Sequence, residues 1–174
     1  MLHAENQDRL YLIAPSDEQQ ALIEAVIVPE TWFFRYPESF ATLGKLARKR
    51  LDELNNMRAL RILSLPCSTG EEPYSIAITL AEAFGRYDPP VDIIASDIDS
   101  NVLAEASRGV YSLDRIEALP LEQKKQFFLR GKGSNAGKAK VIDQLRRLVE
   151  FKKINLLDKH WPLQGPFDVI FCRN

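Results

Sequence analysis

The chain has 174 residues, of which 45% are hydrophobic and 27% charged, and its formal net charge is −1. Such a length and composition are typical of one globular domain, and the near-neutral charge excludes a global attraction to nucleic acid or anionic membranes. No apolar run approaches the roughly 20 residues that span a bilayer, so direct membrane insertion is not expected. The two cysteines lie far apart in the sequence and lack metal-type spacing, and the N-terminus lacks a signal-peptide pattern. These features favour a reducing, cytoplasmic setting.

The first third of the chain carries two helical patterns on either side of an aromatic segment. Residues 16–26 form the first pattern, and Trp32, Phe33 and Phe34 fall in the aromatic segment. The second helix is predicted from about Glu38. Its apolar face contains Phe40, Leu43, Leu46, Ala47 and Leu51. We therefore assign residues 1–56 to an N-terminal helical segment.

From residue 60 onward, apolar strand patterns alternate with helical patterns. The strands are predicted at residues 60–65, 91–96 and 167–172, and the helices at residues 75–84, 99–106 and 121–129. This alternation predicts an α/β domain with a parallel sheet, helices on both faces and right-handed crossovers. We assign residues 57–174 to this domain and expect it to be incomplete at its C-terminus, because the chain stops directly after a strand.

A glycine-containing stretch interrupts the alternation. Residues 131–137 have loop composition, and the strand patterns at 141–142 and 148–153 predict an antiparallel pair. These elements together predict a small β-subdomain within residues 131–152.

The loop that follows the first strand is acidic. In open α/β sheets, ligands bind beyond the carboxyl ends of the strands, where residues 66–73 are expected. Gly70 allows close backbone approach, and Glu71 and Glu72 are better suited to a positively charged ligand than to phosphate. This favours S-adenosylmethionine over NAD or ATP; the alternative is that both acids only stabilise a helix start. A NAD-type dehydrogenase would require Gly-x-Gly-x-x-Gly, whereas Gly70 stands alone.

A second acid follows the second strand. Asp97 ends the pattern at 91–96, and its two carboxylate oxygens suit the two hydroxyls of a ribose. The alternative is that Asp97 or Asp99 caps the next helix. Because Ile98 separates the two acids, both roles can be filled at once.

Two further groups are candidates. Asn155 followed by Leu156 suits an adenine edge and face, although an ordinary loop asparagine is the alternative. Arg35 among aromatic residues is suited to bidentate carboxylate binding, or equally to a structural salt bridge in an aromatic cluster. Cys67 and Cys172 lack an evident histidine partner and are predicted to be buried structural thiols.

Several segments together resemble the CheR family, the chemotaxis-receptor glutamate O-methyltransferases that use S-adenosylmethionine. The Thr-Trp-Phe-Phe-Arg segment at 31–35, Ser-Thr-Gly-Glu-Glu-Pro-Tyr-Ser at 68–75 and Phe-Cys-Arg-Asn at 171–174 carry most of the resemblance. Ala-Ser-Asp-Ile-Asp at 95–99 and Asn-Leu at 155–156 add to it, in collinear order over roughly residues 20–174. The segment at 29–35 is most similar to the subgroup attached to Wsp-type surface-sensing systems.

The resemblance implies a Rossmann-like methyltransferase fold after a small helical segment, and it implies roles for individual residues. The implied cofactor contacts are Thr31, Arg35, Glu72, Asp97, Asn155, Leu156, Arg173 and Asn174. Asp97 is placed at the ribose, Asn155 and Leu156 at the adenosine. Arg35 lies at the active site, where we expect it to orient the incoming carboxylate as the catalytic residue. No metal is implied.

The implied reaction is methylation of glutamate side chains on the cytoplasmic domain of a methyl-accepting chemotaxis-type receptor. Glutamate has a reference pKa of about 4.3 and is already ionised, so no general base is required. The family also implies a longer N-terminal helical domain and further strands after residue 174, so the chain is expected to be a fragment. The alternative function is a non-catalytic S-adenosylmethionine-binding or receptor-docking module.

Overall fold

The computed structural model describes residues 30–55 and 57–173. The helices are α1 (Pro37–Glu53), α2 (Glu71–Phe84), α3 (Ser100–Arg108), α4 (Leu121–Phe127) and α5 (Asp143–Arg146). The strands are β1 (Leu60–Leu65), β2 (Val91–Asp97), β3 (Val110–Ser112), β4 (Phe128–Arg130), β5 (Lys138–Val141), β6 (Val149–Lys153) and β7 (Val169–Cys172). Short 3₁₀ turns occupy Leu113–Ile116 and Gly133–Asn135. The helix predicted at 16–26 lies outside the described residues.

The main sheet has four strands in the order β6-β2-β1-β7, and every neighbouring pair is parallel. Ile62 of β1 is in register with Ile93 of β2 on one side and with Val169 of β7 on the other. Along the chain, β2 is added on one side of β1 and β6 is added next to β2. The last strand, β7, then pairs with the other side of β1. The predicted parallel α/β sheet is confirmed, and the reversal beside β1 is where such sheets bind ligands.

The two faces of this sheet belong to two apolar clusters. The large cluster joins Leu60, Ile62 and Ile93 to buried residues of α1 and α2, including Phe40 and Leu80. The small cluster joins Leu63, Leu65 and Ile94 to the partly buried Leu163 and Phe167. This division follows from strand alternation, since successive side chains point to opposite faces. Leu46, expected on the apolar face of its helix, is instead 50% exposed.

The antiparallel pair predicted between residues 141–142 and 148–153 is wrong. β6 pairs in parallel with β2 at the edge of the main sheet, whereas β5 pairs antiparallel with β3 and β4 in a separate three-stranded sheet. The helix predicted to continue to residue 129 ends at Phe127, because Phe128 pairs with Val141 of β5. Tertiary pairing overrides local helical periodicity at both places.

Helix α2 begins four residues earlier than its apolar spacing indicates. It starts at Glu71 rather than near residue 75 and therefore includes Pro73. Proline is tolerated in a first helical turn, where amide groups have no intrahelical acceptor. Glu71 and Glu72 are consequently part of the helix and not of the preceding loop.

Candidate functional site

A cavity of about 620 Å³ lies at the carboxyl ends of the main sheet. Its wall includes Leu65 at the end of β1, Ser96 in β2 and Ile154 directly after β6. Six of the residues predicted from the sequence line this one cavity: Thr31, Arg35, Glu72, Asp97, Asn155 and Leu156. The fold thus brings together side chains that are up to 125 residues apart in the chain (156 − 31 = 125).

The loop between β1 and α2 is a tight turn attached to β2. The amide of Gly70 donates to the carbonyl of Cys67 at 3.0 Å, and the amide of Ser68 donates to Asp97 Oδ2 at 2.8 Å. Gly70 has φ +94°, and a Cβ at that position would lie 2.9 Å from the Cβ of Ala106. Glycine is therefore required here for both its backbone conformation and the close contact.

The two acids at the end of β2 have separate roles. Asp99 caps α3, because its side chain accepts from the amides of Asn101 and Val102. Asp97 does not cap the helix: its Oδ2 binds the amide of Ser68, and its Oδ1 binds the amide of Asp99 at 3.1 Å. Each carboxylate oxygen has two acceptor sites, so Asp97 retains capacity for ligand hydroxyls. The sequence-based division between cap and ligand acid is consistent with this geometry.

Glu72 forms a largely desolvated acidic part of the wall. Its Oε1 accepts from Ser64 Oγ at 2.8 Å, and its Oε2 lies 3.5 Å from Arg173 Nε. Burial raises the pKa of Glu72, while the Ser64 hydrogen bond and the charges of Arg173 and Arg35 act in the opposite direction. A cationic ligand would favour the ionised form of this carboxyl.

Arg35 is held by aromatic rings and a carbonyl. Its guanidinium carbon lies 4.5 Å from the ring centroid of Trp32 and 5.4 Å from that of Tyr36, and Nη1 donates to the carbonyl of Glu30 at 2.8 Å. Within residues 30–55 and 57–173, no carboxylate lies within 4 Å of it, so the alternative of a structural salt bridge is not found there. Arg35 thus lines the cavity, and its charge acts to lower the pKa of Glu72 without a direct ion pair.

Asn155 and Leu156 lie in the turn after β6. The side-chain oxygen of Asn155 accepts from the amide of Leu157 at 2.9 Å, which is an ordinary Asx turn. Asn155 also lines the cavity, and Leu156 is 45% exposed beside it. Both the structural and the ligand-facing interpretation of this asparagine are thus compatible with its position.

Arg173 lies behind the wall rather than in it. Its Nη1 donates to the carbonyl of Arg35 at 2.7 Å, and its guanidinium carbon lies 5.2 Å from the ring centroid of Tyr36. Together with its contact to Glu72, this links the segment after β7 to both charged parts of the wall. Asn174 and Pro29 lie outside the described residues.

The two cysteines differ from each other. Cys67 is 1% exposed, and burial raises the pKa of its thiol, so it stays neutral as expected of a structural thiol. Cys172 is exposed, and the prediction that it is buried is wrong. It ends β7, an edge strand of the sheet as described, and strand alternation turns Phe171 inward and Cys172 outward.

Several polar atoms in the wall have unused hydrogen-bonding capacity. Among the described residues, Ser68 Oγ, Ser96 Oγ and Arg35 Nε are buried without a partner. Sequence reasoning missed both hydroxyls, although they adjoin the acidic loop and Asp97. A ligand with hydroxyl, amino and carboxylate groups matches these atoms, and the volume lies within the roughly 300–1,000 Å³ of small-molecule sites. The residues present therefore fit S-adenosylmethionine, and Asp97 and Glu72 are the lining acids predicted from the sequence to contact it.

The described residues show neither a metal-binding cluster nor a membrane-spanning helix. No group of three or more histidine, cysteine, aspartate or glutamate side chains there is arranged to hold a metal ion. None of the described helices is both long enough and apolar enough to cross a membrane.

The fold and the acidic cavity define a Rossmann-like S-adenosylmethionine-dependent methyltransferase domain. The family described as "CheR methyltransferase, SAM binding domain" matches residues 29–174. The chain therefore belongs to the CheR methyltransferase family, and its cofactor is S-adenosylmethionine.

Named relatives agree with this assignment. The chain is 55% identical to Chemotaxis protein methyltransferase 2 of Pseudomonas aeruginosa, over 90% of this chain and 55% of the relative. It is 46% identical to the Probable biofilm formation methyltransferase WspC of the same species, over 99% of this chain and 40% of the relative. Identity to the Chemotaxis protein methyltransferase of Salmonella typhimurium is 44%, over 91% of this chain and 53% of that protein. The chain thus spans about half the length of these relatives.

Proposed function

We propose that the protein containing this chain transfers the methyl group of S-adenosylmethionine to glutamate side chains on the cytoplasmic domain of a methyl-accepting chemotaxis-type receptor. The observation that carries the proposal is the shared cavity, in which the carboxylates of Glu72 and Asp97 and the guanidinium of Arg35 meet. Membership of the CheR methyltransferase family and the names of the relatives support the same activity.

The cavity suits a reaction between opposite charges. S-adenosylmethionine supplies a methyl group on a sulfonium, and a carboxylate that accepts it forms a C–O bond as the C–S bond breaks, with no proton transferred. Of the described residues that line the cavity, none is a histidine, in agreement with a reaction that requires no general base. The remaining work is positioning and exclusion of water, to which the apolar Phe40, Leu65 and Val102 contribute.

Arg35 is the group that we propose orients the incoming carboxylate. It lies in the wall, it has no carboxylate partner among the described residues, and its Nε is buried without a hydrogen bond. Guanidinium groups bind carboxylates through paired N–H donors, so a substrate glutamate can complete this unsatisfied group. The stacking of Trp32 on the guanidinium limits its motion before substrate arrives.

Transfer of labelled methyl groups to a purified receptor cytoplasmic domain tests the proposal. Arg35→Ala is expected to abolish transfer while calorimetry still detects binding of S-adenosylmethionine, because the acids that hold the cofactor are intact. Arg61→Ala is the matched control: Arg61 stacks on Phe167 at 4.8 Å and does not line the cavity. Normal turnover by Arg35→Ala would contradict its role.

The same assay separates the second candidate function. Cofactor binding without any transfer, in this chain and in a version extended to the length of its relatives, would favour a non-catalytic binding or docking module. The fact that favours keeping this candidate is that the chain covers only 40–55% of its relatives. Transfer by the extended protein alone would assign the activity to the complete protein.

A further inference from the structure

The turn after β1 is attached to a second element besides β2. Tyr111 in β3 donates from its hydroxyl to the carbonyl of Thr69 at 2.8 Å. Arg115, in the 3₁₀ turn after β3, donates from Nη2 to Glu71 Oε1 and also approaches Thr69 Oγ1 at 3.4 Å. We name residues 110–116 the tether segment. It contacts the loop from the side of the small antiparallel sheet, since β3 is an edge strand of that sheet.

The contact between the tether segment and the start of α2 includes an ion pair between Arg115 and Glu71. Its side chain is fully buried, and its Oε2 accepts from Thr69 Oγ1 at 2.7 Å. A buried carboxylate requires a charged or hydrogen-bonding partner, and Arg115 is its ion-pair partner among the described residues. Because Glu71 is the first residue of α2, Arg115 fixes both the end of the loop and the start of the helix.

Tyr111 and Gly70 complete the contact. A Cβ at Gly70 would lie 3.0 Å from the Tyr111 hydroxyl, so the ring packs directly on the loop backbone. Burial, assisted by the nearby charge of Glu71, raises the pKa of Tyr111, which therefore keeps its proton and remains a donor. The loop is thus held between Asp97 on one side, through Ser68, and the tether segment on the other.

We infer that Arg115 is a positioning residue for the cofactor: acting through Glu71, it holds the loop of residues 66–70 and the adjoining Glu72 in the conformation that binds S-adenosylmethionine. This inference rests on the proposed function of the cavity. Arg115 does not itself line the cavity, whereas Ser68 and Glu72, on either side of its attachment, do. The small sheet thereby contributes to the geometry of a site built on the main sheet.

The test compares two variants of Arg115 with one variant of Arg58, an arginine that also pairs with a buried carboxylate. Arg115→Ala removes the charge and the donors, whereas Arg115→Lys retains the charge. Arg58→Ala is the matched control, because Arg58 pairs with Asp168, whose side chain is 2% exposed, and neither residue lines the cavity. Two quantities are measured in the 174-residue chain: the dissociation constant for S-adenosylmethionine by calorimetry, and amide hydrogen exchange without cofactor.

Arg115→Ala is expected to raise the dissociation constant by about tenfold, since small displacements of binding groups are costly. Amide hydrogen exchange should increase more at residues 67–72 than in the rest of the chain. Arg115→Lys should show a smaller rise in both the dissociation constant and the exchange at these residues. Arg58→Ala should lower the melting temperature and leave the dissociation constant unchanged. A purely structural role for Arg115 predicts that the two alanine variants behave alike.

The inference is overturned if Arg115→Ala binds cofactor like the unaltered chain, or if its exchange at residues 67–72 is unchanged. If neither the unaltered chain nor a version extended to the length of its relatives binds S-adenosylmethionine, the proposed function is contradicted instead. In that case the exchange data alone still decide whether Arg115 holds the loop. The two failures are therefore distinguishable.

Discussion

A carboxylate with arginine neighbours lies at each end of the main sheet, Asp168 at one end and Glu72 at the other. The pKa of Asp168 is lowered, whereas the pKa of Glu72 is raised. At the amino end, Asp168 accepts from both terminal nitrogens of Arg58, at 2.6 and 2.8 Å, from Arg50 Nε and from the amide of Arg61. At the carboxyl end, Glu72 accepts from Ser64 and lies 3.5 Å from Arg173.

The pKa shifts express this difference. The Arg58 hydrogen bonds hold the pKa of Asp168 far below its usual range, whereas burial raises the pKa of Glu72. A saturated ion cluster stabilises the fold, and an under-compensated acid in a cavity is available to a cation. The comparison predicts that Asp168 serves stability, and it supports the proposal that Glu72 serves cofactor binding.

The largest expected effect is at the stabilising end. Asp168→Ala should lower the free energy of unfolding by about 3 kcal/mol, because it leaves several donors without their buried acceptor. The dissociation constant for S-adenosylmethionine should not change. Urea titration and calorimetry measure the two quantities, and a variant that lost binding but kept its stability would reverse the assignment of the two ends.

The stability conferred by Asp168 has a defined pH dependence. A carboxyl whose pKa is lowered on folding stabilises the protein above its unfolded pKa and loses that contribution as the pH falls through its folded pKa. The difference in stability between the unaltered chain and Asp168→Ala should therefore be constant near neutral pH and shrink below about pH 4. A difference that persisted undiminished at pH 2 would mean that charge is not its source.

The next effect is at the binding end. Asp97→Ala should weaken S-adenosylmethionine binding by about thirtyfold, equivalent to about 2 kcal/mol, because it removes the acceptor proposed for the ribose hydroxyls. It also removes the acceptor for the amide of Ser68, so the melting temperature should be recorded in parallel. An unchanged dissociation constant would refute the ribose assignment, and Asp168→Ala supplies the reference for a change that affects stability alone.

A smaller effect is expected when Glu72 is replaced, and its sign is opposite to that of Asp168→Ala, because relative stability should increase as the pH rises. A carboxyl whose pKa is raised on folding contributes stability that is fully present below its unfolded pKa and is lost as the pH rises through its folded pKa. Glu72→Gln cannot ionise, so its stability relative to the unaltered chain should increase as the pH rises through the raised pKa of Glu72. The same variant should bind the cofactor several-fold more weakly, and a variant that gained both stability and affinity would exclude an electrostatic role.

The smallest expected effect is the pH dependence of binding. Because a cationic ligand favours ionised Glu72, binding should release protons, and affinity should decline as the pH is lowered through the raised pKa of this carboxyl. Glu72→Gln should lack this part of the dependence. Calorimetry in buffers of different ionisation enthalpy measures the protons directly, and equal proton release by both proteins would assign it to another group.

Much of the site could be predicted from the sequence because its parts follow strand ends. Asp97 and Asn155 come within two residues of the end of a predicted strand, and Glu72 comes seven residues after one. Parallel strands carry such residues to one edge of the sheet. A helix cap at Asp99 was also predictable, since it depends on spacing within one turn, whereas the ligand role of Asp97 stays a prediction. These inferences require only local periodicity and chain direction.

Other features were not predictable, because their partners are remote and lack a pattern. Arg115 is 44 residues from Glu71, and Arg58 is 110 residues from Asp168; neither arginine is marked by its neighbours in sequence. The antiparallel pairing of residues 141–142 with 148–153 was predicted wrongly for a related reason, since two adjacent strands were assigned to each other when each had another partner.

The sequence by itself determined the strand–loop–helix order, the presence of two acids after the first strand and the family, because these reside in contiguous residues. Tertiary structure alone decided that Asp168 is surrounded by several donors, whereas Glu72 lies largely desolvated in the cavity wall. It also decided that Arg115, in the 3₁₀ turn after β3, pairs with Glu71 at the start of α2. The physical reason is that burial and charge compensation depend on which distant side chains meet, and local spacing does not specify that.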